Sequence, residues 1–248
     1  NEFSIDAAYS RLFSQHWSGS VALRFIYSNI TGGQYVGSTE TKAGIAYAAD
    51  ASAYYTTALK LGSKTGNISA GLNFSNIGSK MSYTSDEDPD FIPMNMRLGT
   101  TFTVDLDRYN SIGISFDINK LLVPTPPVYN IDGEIIAGRD PNVSIPVAIF
   151  QSFYDAPNGF GEEMHEFTES IGIEYWYNQQ FALRTGYFNQ ADCKGNMKYF
   201  TAGAGFRLSV FSLDFSYLIP ITQNNPLART LRFSLGFEFD SLRNVSKK

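Results

Sequence analysis

The sequence has few of the residues from which metal clusters and many catalytic sites are built. Cys193 is the only cysteine and there are two histidines, so neither an internal disulfide nor a cysteine-based metal cluster can form. A serine hydrolase built around His165 would need a positioned serine and an orienting group, and no Gly-x-Ser-x-Gly motif occurs. We therefore expect no enzymatic activity, no catalytic residues, no cofactor and no metal site.

Charge is scarce as well, and long hydrophobic runs are missing. Charged residues make up 17% of the 248 residues, the net charge is −5, and no block of basic residues occurs. That balance argues against nucleic acid as a partner. Because no stretch of about 18 uncharged apolar residues exists, the sequence does not predict membrane-spanning helices. Nothing resembles an interdomain linker, so we expect residues 1–248 to form a single domain.

Aromatic residues are abundant, and they alternate with polar residues. Aromatics reach 15% of the chain, with 20 Phe and 15 Tyr. Leu231 to Phe239 reads Leu-Arg-Phe-Ser-Leu-Gly-Phe-Glu-Phe, in which every odd-numbered residue is apolar. A period of two places these five apolar side chains on one face of a β-strand and the other residues on the opposite face. The pattern predicts an amphipathic strand.

The same alternation recurs along most of the chain. We predict about eleven strands, which are Glu2–Phe13, Trp17–Ile30, Ala51–Leu61, Asn67–Ile77, Met94–Leu106, Ser111–Leu121, Phe167–Tyr177, Phe181–Phe188, Phe200–Leu208, Phe211–Ile219 and Leu231–Phe239. Short turns alternate with long polar loops, the first of which is predicted over Thr31 to Asp50. This combination predicts an all-β fold, specifically a transmembrane antiparallel β-barrel whose apolar face meets lipid and whose short turns are periplasmic.

Charged residues fall on the opposite parity, which would face the barrel lumen. A basic side chain directed toward lipid at the midplane would cost roughly 2–4 kcal/mol, so the charges identify the inner face. We interpret Gly203 and Gly205, in one strand, as positions of close packing or lumen space. The lumen charges are interpreted as a structural ion network and are Arg24, Lys60, Arg97, Asp105, Arg184 and Glu238.

The odd number of strands has a consequence for the barrel. Bacterial single-chain barrels have even strand numbers, and an open sheet would leave two edges of unpaired backbone groups in hydrocarbon, at several kcal/mol for each group. We therefore expect an odd number of further strands, most simply three, to precede Asn1 in a longer chain. The complete barrel would then have fourteen strands.

The longest connection is a proline-rich insertion from Val123 to about Glu163. Within it, Asn142 to Tyr154 is predicted to contain a short helix, with Ser144 as a candidate N-cap and Pro146 in the first turn. An apolar stripe follows the helical spacing and must be covered by something. It is either a contact surface for a partner or a lid on the barrel's own mouth. The candidate contact residues are Val147, Phe150, Phe153 and Tyr154.

One polar loop is strongly acidic, with a cluster formed by Asp86, Glu87, Asp88 and Asp90. Its carboxylates suit Ca²⁺, but the glycine and the terminal glutamate of an EF-hand loop are missing. A solvated acidic loop is the simpler interpretation.

Four stretches carry a resemblance to a known family. They are Phe3–Arg11 (FSIDAAYSR), Ser18–Ile26 (SGSVALRFI), Phe91–Gly99 (FIPMNMRLG) and Asp140–Phe153 (DPNVSIPVAIFQSF). Together they resemble the PorV family, an outer-membrane component of the Bacteroidota type IX secretion system. The resemblance spans most of the chain, with the helix-bearing insertion as its most specific part. It implies a FadL-like barrel of fourteen strands, similar to that of long-chain fatty-acid transporters.

The resemblance also implies a function and partners. Proteins of this kind act as shuttles: they bind cargo proteins by a C-terminal signal domain, take them from the type IX translocon barrel and deliver them to a cell-surface attachment complex. Localisation in the outer membrane, with its lipid as a further partner, is implied too. The alternative is a FadL-like transporter of long-chain fatty acids or other hydrophobic molecules. A soluble β-sandwich or barrel with one buried face is a third interpretation.

Overall fold

The computed structural model describes residues 1–30, 32–36, 39–84, 89–208, 210–222, 227 and 230–237. The chain divides into two compact units. The first comprises Asn1–Tyr55, Gly71–Leu98 and Asn119–Phe167, and the second comprises Thr56–Ala70, Gly99–Ile118 and Thr168–Lys248. In the described part of the chain, no helix has the length and apolar character needed to cross a membrane.

Strands dominate the secondary structure. In chain order they are β1 (Glu2–Leu12), β2 (Trp17–Ser28), β3 (Tyr35–Val36), β4 (Thr39–Glu40), β5 (Gly44–Leu61), β6 (Lys64–Gly78), β7 (Asn95–Asp105), β8 (Asn110–Leu121), β9 (Val128–Tyr129), β10 (Ile135–Ala137), β11 (Phe167–Tyr177), β12 (Phe181–Asn189), β13 (Lys198–Arg207), β14 (Phe211–Pro220) and β15 (Leu231–Phe237). The helices are α1 (Ile145–Gln151), α2 (Phe160–His165) and one 3₁₀ turn (Asp192–Lys194).

Eleven of these strands form one sheet in the order β1-β2-β5-β6-β7-β8-β11-β12-β13-β14-β15, and the short strands pair as β3-β4 and β9-β10. Successive strands of the sheet are neighbours, as expected for antiparallel strands joined by hairpins. The all-β class and the number of long strands are therefore confirmed. Within the described residues β1 and β15 stand at the two ends of this order and do not pair with each other, so closure into a barrel stays a prediction.

One predicted boundary is wrong by several residues. The loop predicted over 31–50 ends early, because β5 begins at Gly44 and pairs with β2 from Gly44↔Ser28 to Tyr55↔Trp17. The alternation in this part of β5 is weak, since one face carries the small residues Ala46 and Ala48, both buried. At the other end of the chain, β15 is described to Phe237, and the last two residues of the predicted strand lie outside the described residues.

In the first unit, the register of β1 and β2 separates polar from apolar side chains. Asp6 lies opposite Arg24 and Ile5 lies opposite Phe25. The Arg24 guanidinium is ion-paired with Asp6 and with Asp50, the latter at 3.2 Å. The apolar face is exposed, and its side chains include Phe3, Ile5, Tyr9, Val21 and Leu23.

In the second unit, Arg184 is ion-paired with Glu174 and Asp214. A Cβ on Gly205 would lie 2.6 Å from Asp214 Oδ1 and 2.7 Å from Arg184 Nη1. The interpretation of this glycine as a position of close packing is therefore confirmed. Apolar side chains again lie exposed on the other parity, among them Leu183, Phe215, Phe233 and Leu235.

The charges predicted to form a network thus have partners of different kinds. Besides the two ion-paired arginines, Arg97 donates to Asn119 Oδ1 at 2.6 Å, and Asp105 accepts from the Thr65 hydroxyl at 2.7 Å. Glu238 lies outside the described residues.

Candidate functional site

The insertion between β8 and β11, residues 122–166, belongs to the first unit. It begins in the core, where the Leu122 amide donates to the Met94 carbonyl oxygen at 2.8 Å and both side chains are buried. Helix α1 starts at Ile145 with a proline in its first turn, as predicted. Ser144 occupies the N-cap position, but its side chain makes no capping hydrogen bond.

One face of α1 holds the helix against its own unit. Ala148 is fully buried in the hydrophobic core, and Ile145 and Ile149 pack against that core. The Gln151 side-chain amide donates to the Asp140 carbonyl oxygen at 2.8 Å. Because the i, i+3 and i+4 positions share a helix face, this packing decides which residues point the other way.

The predicted contact residues lie on the side that the packing leaves open. Val147 is 47% exposed and Phe150 is 70% exposed, and their i, i+3 spacing puts them on one face. Beyond the helix, the Tyr154 ring lies 4.5 Å from the Arg139 guanidinium, and Phe153 lies 5.5 Å from the Lys120 ammonium. The helix therefore combines a docked face with an exposed apolar face, and contact with a partner stays a prediction.

Next to these residues lies an ionic cluster that the sequence pattern does not predict. Lys120, near the end of β8, is 1% exposed. Its ammonium donates to Glu166 Oε2 at 2.7 Å and to Glu163 Oε2 at 3.3 Å, and it lies 5.1 Å from the Phe167 ring. A buried charge needs such partners, because an unpaired ion in the interior is strongly destabilising.

The carboxylates of this cluster connect distant parts of the insertion. The Ala156 amide donates to Glu163 Oε1 at 2.7 Å, and the Thr125 hydroxyl donates to Glu166 Oε1 at 2.5 Å. The Thr125 amide donates to Asp155 Oδ2 at 3.1 Å. The cluster therefore connects the start and the final part of the insertion to Lys120, near the end of β8.

Asp155 is the electrostatically strained member of the cluster. It is 1% exposed, and burial raises the pKa of its carboxyl above the ordinary value of an aspartate. The hydrogen bond from the Thr125 amide acts against this rise, and the neighbouring Glu163 and Glu166 carboxylates add to it. One oxygen, Asp155 Oδ1, is buried with no hydrogen-bond partner among the described residues.

The sequence contained one signal for this cluster. Lys120 shares the parity of Ile114, Phe116 and Ile118, so a regular strand would turn this charge toward the apolar face. A charged residue at an apolar position of the alternation, near the end of a strand, indicates that another segment of the chain covers it. Its glutamate partner at position 163 is 43 residues away, too far for any local pattern to reveal.

The acidic loop considered for Ca²⁺ is described only at its edges. Asp86, Glu87 and Asp88 lie outside the described residues. The backbone of Asp90 pairs with that of Met81, with N–O distances of 2.7 and 2.9 Å.

Comparison with known proteins identifies the family. Residues 1–128 match the model of a family described as type IX secretion system protein PorV. The matched residues cover slightly more than half of the chain and end at the start of β9, so α1, α2 and the strands from β11 onward lie beyond them. No curated protein matches the sequence. The chain belongs to the PorV family of type IX secretion system proteins.

Proposed function

We propose that this protein is an outer-membrane shuttle of the type IX secretion system. It binds cargo proteins by their C-terminal signal domain, accepts them from the translocon barrel and passes them to a cell-surface attachment complex. Membership of the PorV family supports a role in this secretion system. The observation that carries the shuttle role is the exposed pair Val147 and Phe150 on a helix whose opposite face is docked.

The proposal places the strands in a FadL-like barrel of fourteen strands in the outer membrane. In each unit, the exposed apolar parity and the ion-paired polar parity are opposite faces of the same strands. Large exposed apolar surfaces are unfavourable in water, whereas an outward apolar band is the normal surface of a transmembrane barrel. The polar parity then faces the lumen.

The insertion suits protein contact because its exposed and docked parts are separate. The docked face of α1 and the buried Lys120 cluster restrain the backbone before a partner arrives, which lowers the entropy lost on binding. Apolar and aromatic side chains held in this way are typical of the residues that dominate binding energy at interfaces. Phe150 is the most exposed of the four candidate residues.

The proposal is tested by the double variant Val147→Ser, Phe150→Ser in cells that carry no other copy of the protein. Loss of an apolar hot spot costs about 2 kcal/mol or more, so we expect cargo binding to weaken by about 30-fold and surface-attached cargo to fall. The matched control is Ile131→Ser, which removes a fully exposed side chain from the β9–β10 turn.

The readouts are the secreted and surface proteome, the periplasmic level of cargo and the uptake of long-chain fatty acids. Retained cargo in the double variant, with normal export in the control, supports the shuttle. Deletion of the gene separates the alternative function: normal secretion together with lost fatty-acid uptake would reject the shuttle in favour of a transporter.

A further inference from the structure

The ionic cluster formed by Lys120, Asp155, Glu163 and Glu166 has an excess of negative charge. Asp155 and Glu163 are buried, and Glu166 is largely so, its side chain being 10% exposed. With all three ionised and Lys120 protonated, the formal charge is −3 + 1 = −2. Buried charges of one sign are costly unless they are neutralised. One divalent cation would bring the formal charge of the cluster to zero.

One carboxylate oxygen of the cluster is buried without a hydrogen-bond donor. Asp155 Oδ1 is buried and has no hydrogen-bond partner among the described residues, although Oδ2 of the same carboxylate accepts from the Thr125 amide. Buried polar atoms nearly always have a partner, and an exception requires an explanation such as an ion. Lys120 does not provide it, since its ammonium is engaged with Glu163 and Glu166.

The spacing of the three carboxylates suits a single ion. One oxygen from each of Asp155, Glu163 and Glu166 lies within 4.8 Å of the others. Two oxygens bound to the same Ca²⁺ can be at most about 5 Å apart, because Ca–O distances are about 2.3–2.6 Å. Ca²⁺ also tolerates irregular arrangements of carboxylates and completes its shell with water.

We propose that Asp155, Glu163 and Glu166 form a binding site for a divalent cation of the Ca²⁺ type. Asp155 contributes its unpartnered oxygen, and the two glutamates contribute oxygens while they remain bonded to Lys120. The ion adds to the hydrogen bonds through which this cluster holds the insertion to β8. The site is separate from the exposed face of α1, so the proposal does not depend on the identity of any protein partner.

The test is a titration of the purified protein, in detergent, after removal of metals with EDTA. We expect saturable binding of one Ca²⁺ by calorimetry. The melting temperature should rise by about 5–10 °C when Ca²⁺ reaches 100 times its Kd. Mg²⁺, which prefers a rigid octahedral shell, should bind more weakly.

Two variants sharpen the result. Asp155→Asn keeps an acceptor for the Thr125 amide but removes one negative charge, so it should melt higher than the wild type in EDTA. It should also bind Ca²⁺ at least about tenfold more weakly. Glu162→Gln changes a half-buried neighbour in α2, keeps an oxygen that can accept from the Asn158 amide, and should bind Ca²⁺ like the wild type.

Three outcomes would overturn the proposal. The first is no saturable binding of Ca²⁺ by the wild type. The second is equal affinity in the wild type and in Asp155→Asn. The third is an Asp155→Asn variant that is no more stable than the wild type in EDTA, because the metal-free cluster would then carry no excess of negative charge.

Discussion

Replacing Lys120 with methionine tests whether the ionic cluster holds the insertion. Methionine has a similar length and keeps apolar contact with the rings of Phe153 and Phe167, which lie 5.5 and 5.1 Å from the ammonium. The substitution therefore removes a charge with little loss of packing. In protein freed of metal with EDTA, it leaves Glu163 and Glu166 without a cation at a site where the lysine is 1% exposed.

The expected magnitude follows from that burial. Removing one partner of a buried ion pair costs about 3–5 kcal/mol, because the remaining charge is uncompensated. Both glutamates lose a partner here, at 3.3 and 2.7 Å. Because both belong to the final part of the insertion, we expect this loss in the free energy that holds the insertion to β8. Neutralising a carboxylate as well, in Lys120→Met with Glu163→Gln, should recover at least about half of the loss.

Hydrogen exchange measures this loss at the insertion itself. The Ala156 amide donates to Glu163 Oε1, so it exchanges when that contact opens. A loss of about 3 kcal/mol in the opening free energy accelerates exchange by roughly 100-fold. Amides of β13, in the other unit, serve as the internal control and should keep their rates.

A small effect would refute the reasoning. If exchange at Ala156 in Lys120→Met accelerates by less than about threefold, or if β13 accelerates equally, the cluster does not anchor the insertion. Failure of Glu163→Gln to recover stability in the double variant would show that the loss came from packing and not from charge.

Three further predictions concern single positions. Cys193 is exposed in the β12–β13 connection, so a membrane-impermeant maleimide should label it on intact cells. Ser63→Cys in a Cys193→Ser background lies in a short turn proposed to be periplasmic and should react only after the outer membrane is permeabilised. The opposite labelling pattern would contradict the proposed orientation. Gly138→Ala should lower the melting temperature more than Gly133→Ala. Both glycines have positive φ, but only at Gly138 would a Cβ lie 3.0 Å from the backbone of Pro127. Equal decreases in melting temperature would contradict this prediction. The Tyr109 amide and the Asn110 side chain lower the pKa of Asp107, so its stabilisation should be present above the ordinary aspartate pKa of about 3.9 and lost as pH falls through the lowered value; an NMR titration midpoint at or above 3.9 would refute it.

The sequence predicted the strands because their signal is local. In β11 the predicted and observed bounds, Phe167 to Tyr177, agree, since aromatic and β-branched residues alternate with polar ones along the strand. The start of β5 was missed because Ala46 and Ala48 give almost no contrast in hydrophobicity. Their burial depends on Met94 and Leu122, which are distant in sequence.

The candidate site was predictable only in part. The position of α1 and its exposed residues followed from a proline, a helical spacing and the length of the insertion. The anchoring of the insertion to β8 could not be predicted, because Lys120 contacts Glu163 across 43 residues. Helix α2, which carries Glu163, is only six residues long. A helix that short is not stable alone and forms where tertiary contacts hold it.

Those six residues have a mechanical consequence. Helix α2 carries Glu163, bound to Lys120, and also Phe160 and Met164, both largely exposed. With six residues, α2 is less than two turns long, so a displacement of Phe160 also moves Glu163. Any molecule that binds the exposed side of α2 therefore acts directly on the Lys120–Glu163 ion pair that holds the insertion to β8.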